Sequence, residues 1–320
     1  MPISSTIDYI PVMDQFIAHW QATDSGIVIA EEGAAVELPD FSNLRTTLDG
    51  VKSLVQSSLN SLENSRVVLE QTRGEAGDRV AEFNRRIRAD FAGNSTFNSL
   101  PLVPNRTAGR DAFLNALDDV LDLWMRVNGT APSPIFTGPM VLLGGFTRAD
   151  LVTLRAQLDS AFTQRAISER AADDQRTLRN ELQARAKALM TTYRMKIEAL
   201  YAPGSLPVTS LPRLTPLPGH TPDPVEADGA WSEPNLRAEL TWTPSTDPDL
   251  AGYQVRATPG PDYSSDDETL LATIPPGAPL QYNTAGGLAV PGSAMSYKIY
   301  VILNTDHEAG SNAVSVTRPG

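Results

Sequence analysis

The sequence predicts a multi-domain protein that joins a long α-helical part to an all-β part. Apolar residues recur at spacings of three, four and seven over residues 41–92, and again over 147–202, which predicts two long helices. Residues 225–320 instead consist of short alternating runs separated by glycine, proline and aspartate, a pattern typical of an antiparallel β-sandwich. We therefore expect an elongated helical domain over 1–202, a proline-rich linker over 203–224 and a β-sandwich over 225–320.

The first forty residues are mixed in character. Residues 10–21 predict a short helix with Met13, Phe16 and Trp20 on one side. Residues 26–38 fit either a small hairpin that turns at Glu32-Gly33 or an extended arm.

The first long helix is predicted over residues 41–92. Asp40, after a proline, is a plausible N-cap, and Gly74 and Gly77 could kink or break the helix because glycine costs about 1 kcal/mol relative to alanine there. The predicted apolar seam comprises Phe41, Leu44, Leu48, Val51, Val55, Leu59, Leu62, Leu69, Ala76, Val80, Phe83, Ile87 and Phe91.

A shorter helix and a second long one follow. Residues 111–127 predict the short helix, which Asn128-Gly129 ends. Residues 147–202 predict the long one, with Thr147 and Asp150 spaced as in a capping box. Its predicted seam comprises Leu151, Leu154, Leu158, Ala161, Ile167 or Ser168, Ala171, Gln175, Leu178, Leu182, Leu189, Tyr193, Ile197 and Leu200.

The two long helices match in length, so we expect them to pair antiparallel as a coiled-coil-like hairpin. Two helices alone bury little apolar area per residue, so further helices or neighbouring subunits are needed. The linker contains seven prolines among residues 203–224 and predicts a polyproline II spacer. Its leucines are too apolar for a freely solvated chain, which suggests that it also lies along another surface.

The C-terminal part resembles a fibronectin type III domain. The residues that carry the resemblance are LRAELTWTPSTDPDLAGYQVRAT (236–258) and SYKIYVILNTDHEAGSNAVSVT (296–317). The resemblance implies that Leu240, Trp242, Tyr253 and Val255 point inward and that Tyr297 is the corner tyrosine of the family. It covers just under a third of the chain and says almost nothing about function, since such modules serve as spacers or binding platforms.

Composition excludes several classes of function. The net charge is −12, so binding to nucleic-acid phosphates is not expected. The chain has no cysteine, which removes disulfides, thiolate nucleophiles and iron–sulfur clusters. The first basic residue is Arg45 and no apolar run approaches the length of a membrane span, so we expect neither a signal peptide nor membrane insertion. The location is therefore expected to be the cytoplasm, or the exterior or a particle reached by a non-classical route.

No catalytic, cofactor-binding or metal-binding residue is predicted. The chain lacks the nucleophile-elbow, Walker A, dinucleotide-binding and zinc-protease motifs, and its three histidines are far apart. His19 is expected at the edge of a helical core and His307 in solvent. The acidic runs 262–268 and 247–249 could offer oxygen ligands to calcium, but neither has EF-hand spacing, and solvated loop charge is the favoured interpretation.

Charged residues on the helices are expected to be structural. Asp118, Asp119 and Asp122 should form a solvated face. We expect salt bridges between the acidic residues of the helices and two groups of arginines: Arg79, Arg85, Arg86 and Arg88, and those over residues 165–196. The alternative is that these arginines form an anion-binding stripe.

Apolar loops lie near the turn of the predicted hairpin. They contain Phe97, Leu100, Leu102 and Val103, and the run 135–146. These residues either form a local core with the short helix or provide a subunit interface.

The sequence thus favours a non-enzymatic structural or assembly protein. It would self-associate through its helical part and display the β-sandwich, as in a filament, a surface appendage or a phage-tail-like particle, with a bacterial or phage-like character. The alternative is an adhesin or adaptor whose fibronectin type III-like module binds a protein or glycan. An enzyme is the least favoured reading, because the helices offer no obvious concave site.

Overall fold

A computed structural model of the chain describes residues 2–93, 99–130 and 136–320. It has a long helical N-terminal part and a C-terminal antiparallel β-sheet region, which confirms the predicted fold class at this level. The helices are α1 (Tyr9–Thr23), α2 (Leu38–Asp90), α3 (Arg110–Asn128), α4 (Arg148–Leu200) and α5 (Leu206–Thr209). The strands are β1 (Ile29–Glu31), β2 (Ala34–Val36), β3 (Ala227–Ser232), β4 (Arg237–Trp242), β5 (Leu250–Pro259), β6 (Thr269–Ile274), β7 (Gln281–Thr284), β8 (Ala294–Leu303), β9 (Glu308–Gly310) and β10 (Val314–Thr317).

The chain divides into two compact units. Unit 1 consists of Met1–Glu63 and Ala171–Gly320, and unit 2 consists of Asn64–Arg170. The domain limits expected from the sequence, 1–202, 203–224 and 225–320, follow composition along the chain and stay predictions.

The long helices pair antiparallel within unit 1. Leu44 and Leu48, early in α2, share a core with residues late in α4, whereas Leu59, further along α2, clusters with Ala172, which comes earlier in α4. The two sequences therefore run in opposite directions along the seam. Nearly all predicted seam positions of α2 are buried, and α2 has no break at Gly74 or Gly77.

The ends of the long helices were predicted with mixed success. The expected N-cap at Asp40 is wrong, because α2 begins at Leu38 with a proline in its first turn, and Asp40 accepts a hydrogen bond from the Glu37 amide at 3.0 Å. The capping box of α4 is confirmed: the Thr147 amide donates to Asp150 Oδ2 at 2.8 Å and the Asp150 amide donates to Thr147 Oγ1 at 3.4 Å.

An aromatic cluster closes the N-terminal end of unit 1. Trp20 of α1 stacks on Tyr193 of α4 with ring centroids 4.5 Å apart, and Phe16 meets the same tyrosine edge-on at 6.0 Å.

The hairpin alternative for residues 26–38 is confirmed, because β1 pairs with β2 and the turn residues Glu32 and Gly33 have positive φ.

The middle of α4 differs from the predicted seam. Ala171 and Leu178 were expected to point inward, but Leu178 is 40% exposed and the next residue, Arg179, is only 4% exposed. Ala172 is buried in place of Ala171, whereas at the preceding position Ser168, one of the two predicted alternatives, is buried. The seam is thus displaced by one residue, and this displacement turns an arginine toward the β-sheet region.

The C-terminal region consists of two antiparallel sheets over one apolar core. One sheet has the order β10-β8-β5-β6 with β9 on β8, and the other has the order β3-β4-β7. Leu240, Trp242, Tyr253 and Val255 are all buried in that core, as expected. The alternating runs did not predict β3, β7 and β9: β7 and β9 have only four and three residues, and β3 contains Gly229 and no alternation of apolar and polar residues.

Tyr297 departs from the role implied for it. A corner tyrosine donates its hydroxyl to backbone a few residues upstream. The Tyr297 side chain is buried in the core, but its hydroxyl has no hydrogen-bond partner among residues 2–93, 99–130 and 136–320. The implied role of Tyr297 as a corner tyrosine is therefore wrong, because its hydroxyl does not make the corner hydrogen bond.

The sequence predicted a solvated loop for the acidic run 262–268. This prediction is wrong for its last two residues, Asp267 and Glu268, which are buried. Asp267 is 7% exposed and is held by two arginines of α4: Arg176 Nη2 lies 2.6 Å and Arg179 Nη1 3.1 Å from its carboxylate oxygens. Arg179 also donates to the Asp266 carbonyl at 2.7 Å. These bonds join the β5–β6 loop to the helix pair inside unit 1.

A second buried ion pair lies within the sheets. Arg256 of β5 donates to Glu268 at 2.8 Å and also bonds Glu308 and the Gln254 side chain. The Tyr263 hydroxyl donates to the other Glu268 oxygen at 2.5 Å. Each buried charge thus has charged or hydroxyl partners, as burial of ions requires.

Other bonds attach the β-sheet region to the helices. Glu63 of α2 accepts a hydrogen bond from the Ala294 amide at 2.9 Å, and Thr269 donates to the Gln56 side chain at 2.6 Å.

The proline-rich segment 203–224 also packs on other parts of unit 1. Leu211 is buried beside α1 and α4, and the Leu217 amide donates to the Thr305 carbonyl at 3.1 Å. The expectation that this segment lies along another surface is confirmed, and the β-sheet region contacts the helices directly instead of standing off on a free spacer.

Removal of the Asp267 carboxylate should strongly destabilise unit 1. Asp267→Asn leaves Arg179 buried without its counter-ion, so we expect the free energy of unfolding to fall by about 3–5 kcal/mol. Asp173→Asn is the matched control, because Asp173 binds the same Arg176 from an exposed position, and we expect a change within about 0.5 kcal/mol. Urea denaturation measures both; equal effects of the two variants would contradict the buried anchor.

The same anchor predicts an acid-sensitive stability. Burial raises the pKa of Asp267, but the hydrogen bonds and charges of Arg176 and Arg179 outweigh it and hold the pKa below its usual range. The stabilisation is therefore complete above the unfolded-state pKa and is lost as pH falls through the folded-state pKa. Between about pH 5 and about pH 2, wild-type stability should fall more steeply than that of Asp267→Asn. Parallel slopes would show that Asp267 is not the group responsible.

Candidate functional site

A groove runs along α3 in unit 2. One side is the extended segment 99–105, which contains two prolines, and the other is the outer face of α3. The groove is open to solvent and has a volume of about 720 Å³. Asn84 of α2 fixes the segment by donating from Nδ2 to the Pro101 carbonyl at 2.7 Å. We call this feature the loop–α3 groove.

The two sides of the groove differ in chemistry. On the loop side, Leu102 is 85% exposed and Val103 is also exposed. On the helix side are Asp119, Asp122 and Arg126, whose spacings of three and four place them on one face of α3. All three are exposed, and none has a side-chain hydrogen bond or ion pair within the part of the chain that the structure describes. The groove therefore presents an apolar wall opposite two unpaired carboxylates.

The predicted apolar loops divide into a core part and a surface part. Phe136, Met140 and Leu142 are buried against α3, where Trp124 Nε1 donates to the Met140 carbonyl at 3.1 Å. Leu143 is 76% exposed, although Glu82 accepts its amide at 2.5 Å. Phe97 and Ile135, which the sequence placed in the same patch, lie outside the described residues.

Several arginines that the sequence assigned to salt bridges are paired with acids, which confirms the salt-bridge interpretation for those residues. Arg155 binds Asp118 through two hydrogen bonds of 2.5 and 2.8 Å, so Asp118 leaves the predicted solvated face. Arg79 pairs with Glu82 at 2.9 Å, and Arg86 pairs with Asp90 at 2.6 Å. Arg185, further along α4, pairs with Glu31 of the hairpin at 2.7 Å.

Two arginines at the end of α2 differ from these. Arg85 and Arg88 are exposed and lack an ion pair among the residues with described positions. They are three residues apart and therefore share a face of the helix.

Each of the three histidines is hydrogen-bonded to another residue of the chain. His19 is buried, with Nδ1 2.8 Å from the Tyr193 hydroxyl and Nε2 2.9 Å from the Pro207 carbonyl, so its expected place at the core edge is confirmed. His307 is half-buried and bonds Thr305, whereas the sequence placed it in solvent. His220 is exposed and bonds Asp247 at 2.7 Å, which raises the pKa of His220.

The acidic segment 247–249 is organised by its own backbone. Asp247 accepts the Asp249 amide at 2.9 Å in addition to its bond with His220. Within residues 2–93, 99–130 and 136–320, no group of three or more histidine and acidic side chains could hold a metal ion. In the same described ranges, no helix combines the length and the apolar content that crossing a membrane requires.

Comparison with known proteins adds little to this geometry. No protein-family model matches the chain, and no curated protein matches it. Among solved structures, a fibronectin type III-like protein from Clostridium thermocellum is 19% identical over 32% of this chain and 97% of its own, with a TM-score of 0.25. A pectate lyase from Pectobacterium carotovorum is 14% identical, over 29% of this chain and 27% of its own, with a TM-score of 0.25. A pectate lyase from Erwinia chrysanthemi, solved with tetragalacturonic acid, is 17% identical over 29% and 28% of the two chains, also with a TM-score of 0.25.

These TM-scores are too low to identify a shared fold. The chain spans only about a quarter of the length of each pectate lyase. The candidate site therefore depends on the geometry of this chain alone.

The division of the apolar loops predicts two opposite responses to substitution. Leu102→Ser removes an exposed side chain, so the free energy of unfolding should change by no more than about 0.5 kcal/mol. Met140→Ala opens a cavity beside Trp124 and should cost about 2–5 kcal/mol. Urea denaturation compares them; a large loss for Leu102→Ser would place this residue in the core instead of on the surface.

Proposed function

We propose that the protein is a non-enzymatic structural or assembly protein that self-associates through its helical part. The observation that carries the proposal is the loop–α3 groove, in which a strongly exposed leucine faces two carboxylates without partners. Exposed apolar surface rimmed by polar and charged residues is typical of protein contact surfaces.

The partner that fits best is a second copy of the same chain. Two chains of net charge −12 repel each other, so their association requires local charge complementarity. Arg85 and Arg88 supply it, because they form an exposed basic pair that matches the acidic pair Asp119 and Asp122 in spacing. In this arrangement the end of α2 of one copy occupies the groove of the next.

Such a contact joins two different surfaces of the same molecule. A heterologous contact of this kind produces a closed ring or an open filament, depending on the rotation between neighbours. It is compatible with a filament, a surface appendage or a phage-tail-like particle.

In this proposal the C-terminal region is a fibronectin type III-like β-sandwich presented by the assembly. Its two sheets share one core, and Leu240, Trp242, Tyr253 and Val255 occupy the inward positions that the family resemblance implies. Its attachment through Asp267 means that it would move with the helices of unit 1 rather than swing on a linker.

Charge reversal tests the proposed contact. Asp119→Lys with Asp122→Lys should weaken self-association at least about tenfold, because like charges would then meet across the groove. Arg85→Glu with Arg88→Glu should have the same effect, and mixing the two variants should restore association between unlike copies. Light scattering over a concentration series, with negative-stain images, measures the outcome.

The matched control reverses an acidic pair of equal spacing outside the groove. Glu75→Lys with Asp78→Lys changes the net charge by the same amount on an exposed face of α2 and should leave association unchanged. If wild type is a strict monomer at high concentration, the proposal is wrong, and the alternative of an adaptor that binds a protein or glycan through its β-sheet region gains support.

A further inference from the structure

One side of the helix pair in unit 1 is open to solvent. Leu54 of α2 is 54% exposed, and it lies two residues from Gln56, which bonds the β-sheet region. Leu178 of α4 is 40% exposed, and it lies two residues from Arg176, which bonds the same region. Two residues correspond to about 200° around a helix, so both leucines point away from the sheets.

The two leucines lie in a section of the pair whose own core is small. The buried cluster of this section comprises Val51, Val55, Leu59 and Ala172. Leu54 precedes Leu59 by five residues along α2. Leu178 follows Ala172 by six residues along α4, so the two leucines lie at nearly the same level of the antiparallel pair.

The α2 side of this surface carries no charge. Between Asp49 and Glu63, the sequence of α2 has one charged residue, Lys52. These three charged residues lie four or seven positions from Gln56 and therefore share its side of the helix, toward the sheets. A chain of net charge −12 thus has about 20 Å of uncharged helix surface on the side of Leu54.

The uncharged surface has the spacing of a helix–helix contact. On α2, exposed residues follow one another at steps of four, three and four, as in a coiled-coil seam: Gly50, Leu54, Ser57 and Ser61. On α4, the exposed Ala171 precedes Leu178 by seven residues and shares its side. We call the surface formed by these six residues the open face. Its small side chains allow another helix to approach closely, and its two leucines supply apolar area.

The α4 side of the open face is flanked by acids. Asp174 and Glu181 are exposed and lie four residues before and three residues after Leu178. If α4 of one copy faced α4 of another, these acids would repel each other. The uncharged seam of α2 offers no such repulsion, so the open face complements itself when α2 of each copy meets α4 of the other.

We propose that the open face binds a second copy of the chain about a two-fold axis parallel to the helices. This axis places each α2 on the α4 of the other copy and forms an antiparallel four-helix bundle. Leu54 of each copy then meets Leu178 of the other, because the two residues lie at one level. The face measures about 20 Å by about 20 Å, so the contact buries on the order of 1,000 Å² in total, which is near the lower limit for a specific interface.

The contact rests on the self-association proposed above, but it uses unit 1 alone and no residue of the loop–α3 groove. Sedimentation equilibrium of the full chain with Asp119→Lys and Asp122→Lys therefore tests it separately, because these changes weaken the groove contact. Between about 5 µM and about 200 µM, this parent chain should show a monomer–dimer equilibrium.

One further substitution in the parent chain tests the open face itself. Leu54→Glu places a charge against the acid-flanked α4 of the other copy, so it should raise the dissociation constant of the dimer at least about tenfold. Leu200→Glu is the matched control, because Leu200 is also 54% exposed but lies at the end of α4, and it should leave the dissociation constant unchanged.

Disulfide cross-linking tests the arrangement of the two copies, and the chain has no cysteine of its own to interfere. Ser61 and Ala171 lie at nearly the same level on different helices of the open face. An oxidised mixture of Ser61→Cys chains and Ala171→Cys chains should give a covalent dimer with one chain of each kind. Either variant alone should give far less covalent dimer.

The proposal is overturned if the parent chain is a monomer throughout the concentration range, or if Leu54→Glu dimerises as tightly as the parent. The first result would leave the open face to a different protein, and association of the wild type in that case would still support the groove contact. Equal cross-linking of the mixture and of either variant alone would overturn the two-fold arrangement.

Discussion

The structure depends on one constraint: a pair of long helices cannot bury enough apolar surface on its own to be stable. Each unit meets this constraint in its own way. In unit 1, α1 and the β1–β2 hairpin cover the aromatic end of the helix pair, and the β-sheet region covers the part of α4 around Arg176 and Arg179. In unit 2, α3 and the segment that contains Phe136 and Met140 complete the core.

Buried charge then determines how the β-sheet region meets the helices. A carboxylate such as Asp267 can be buried only beside cations with good geometry, since desolvation otherwise exceeds the gain from pairing. Arg179 satisfies this requirement because the buried face of α4 is displaced there by one residue, from Leu178 to Arg179. Arg179, together with Arg176, therefore attaches the two sheets to the helix pair.

Periodic apolar patterns predicted the long helices, and their matched lengths predicted the antiparallel pairing. The hairpin at Glu32-Gly33 was one of two alternatives, and the inward residues of the sheets were implied by the family resemblance. They did not predict which charges are buried, because Asp267 and Glu268 look like any other acidic loop until the chain brings arginines from distant positions to them. Likewise, Asp119 and Asp122 were predicted as a solvated face, which they are. Their place opposite Leu102 depends on a loop that packs on the core through Leu100 and accepts a hydrogen bond from Asn84.

The central claim is that copies of this chain associate through complementary charges next to a small apolar surface. Sedimentation velocity of the wild-type chain across a salt series tests this claim most directly, without substitutions. Since exposed charge pairs are screened by salt, the account predicts oligomers at about 50 mM sodium chloride that dissociate progressively toward about 500 mM. A monomer at every salt concentration, or association that strengthens as salt is added, would contradict it.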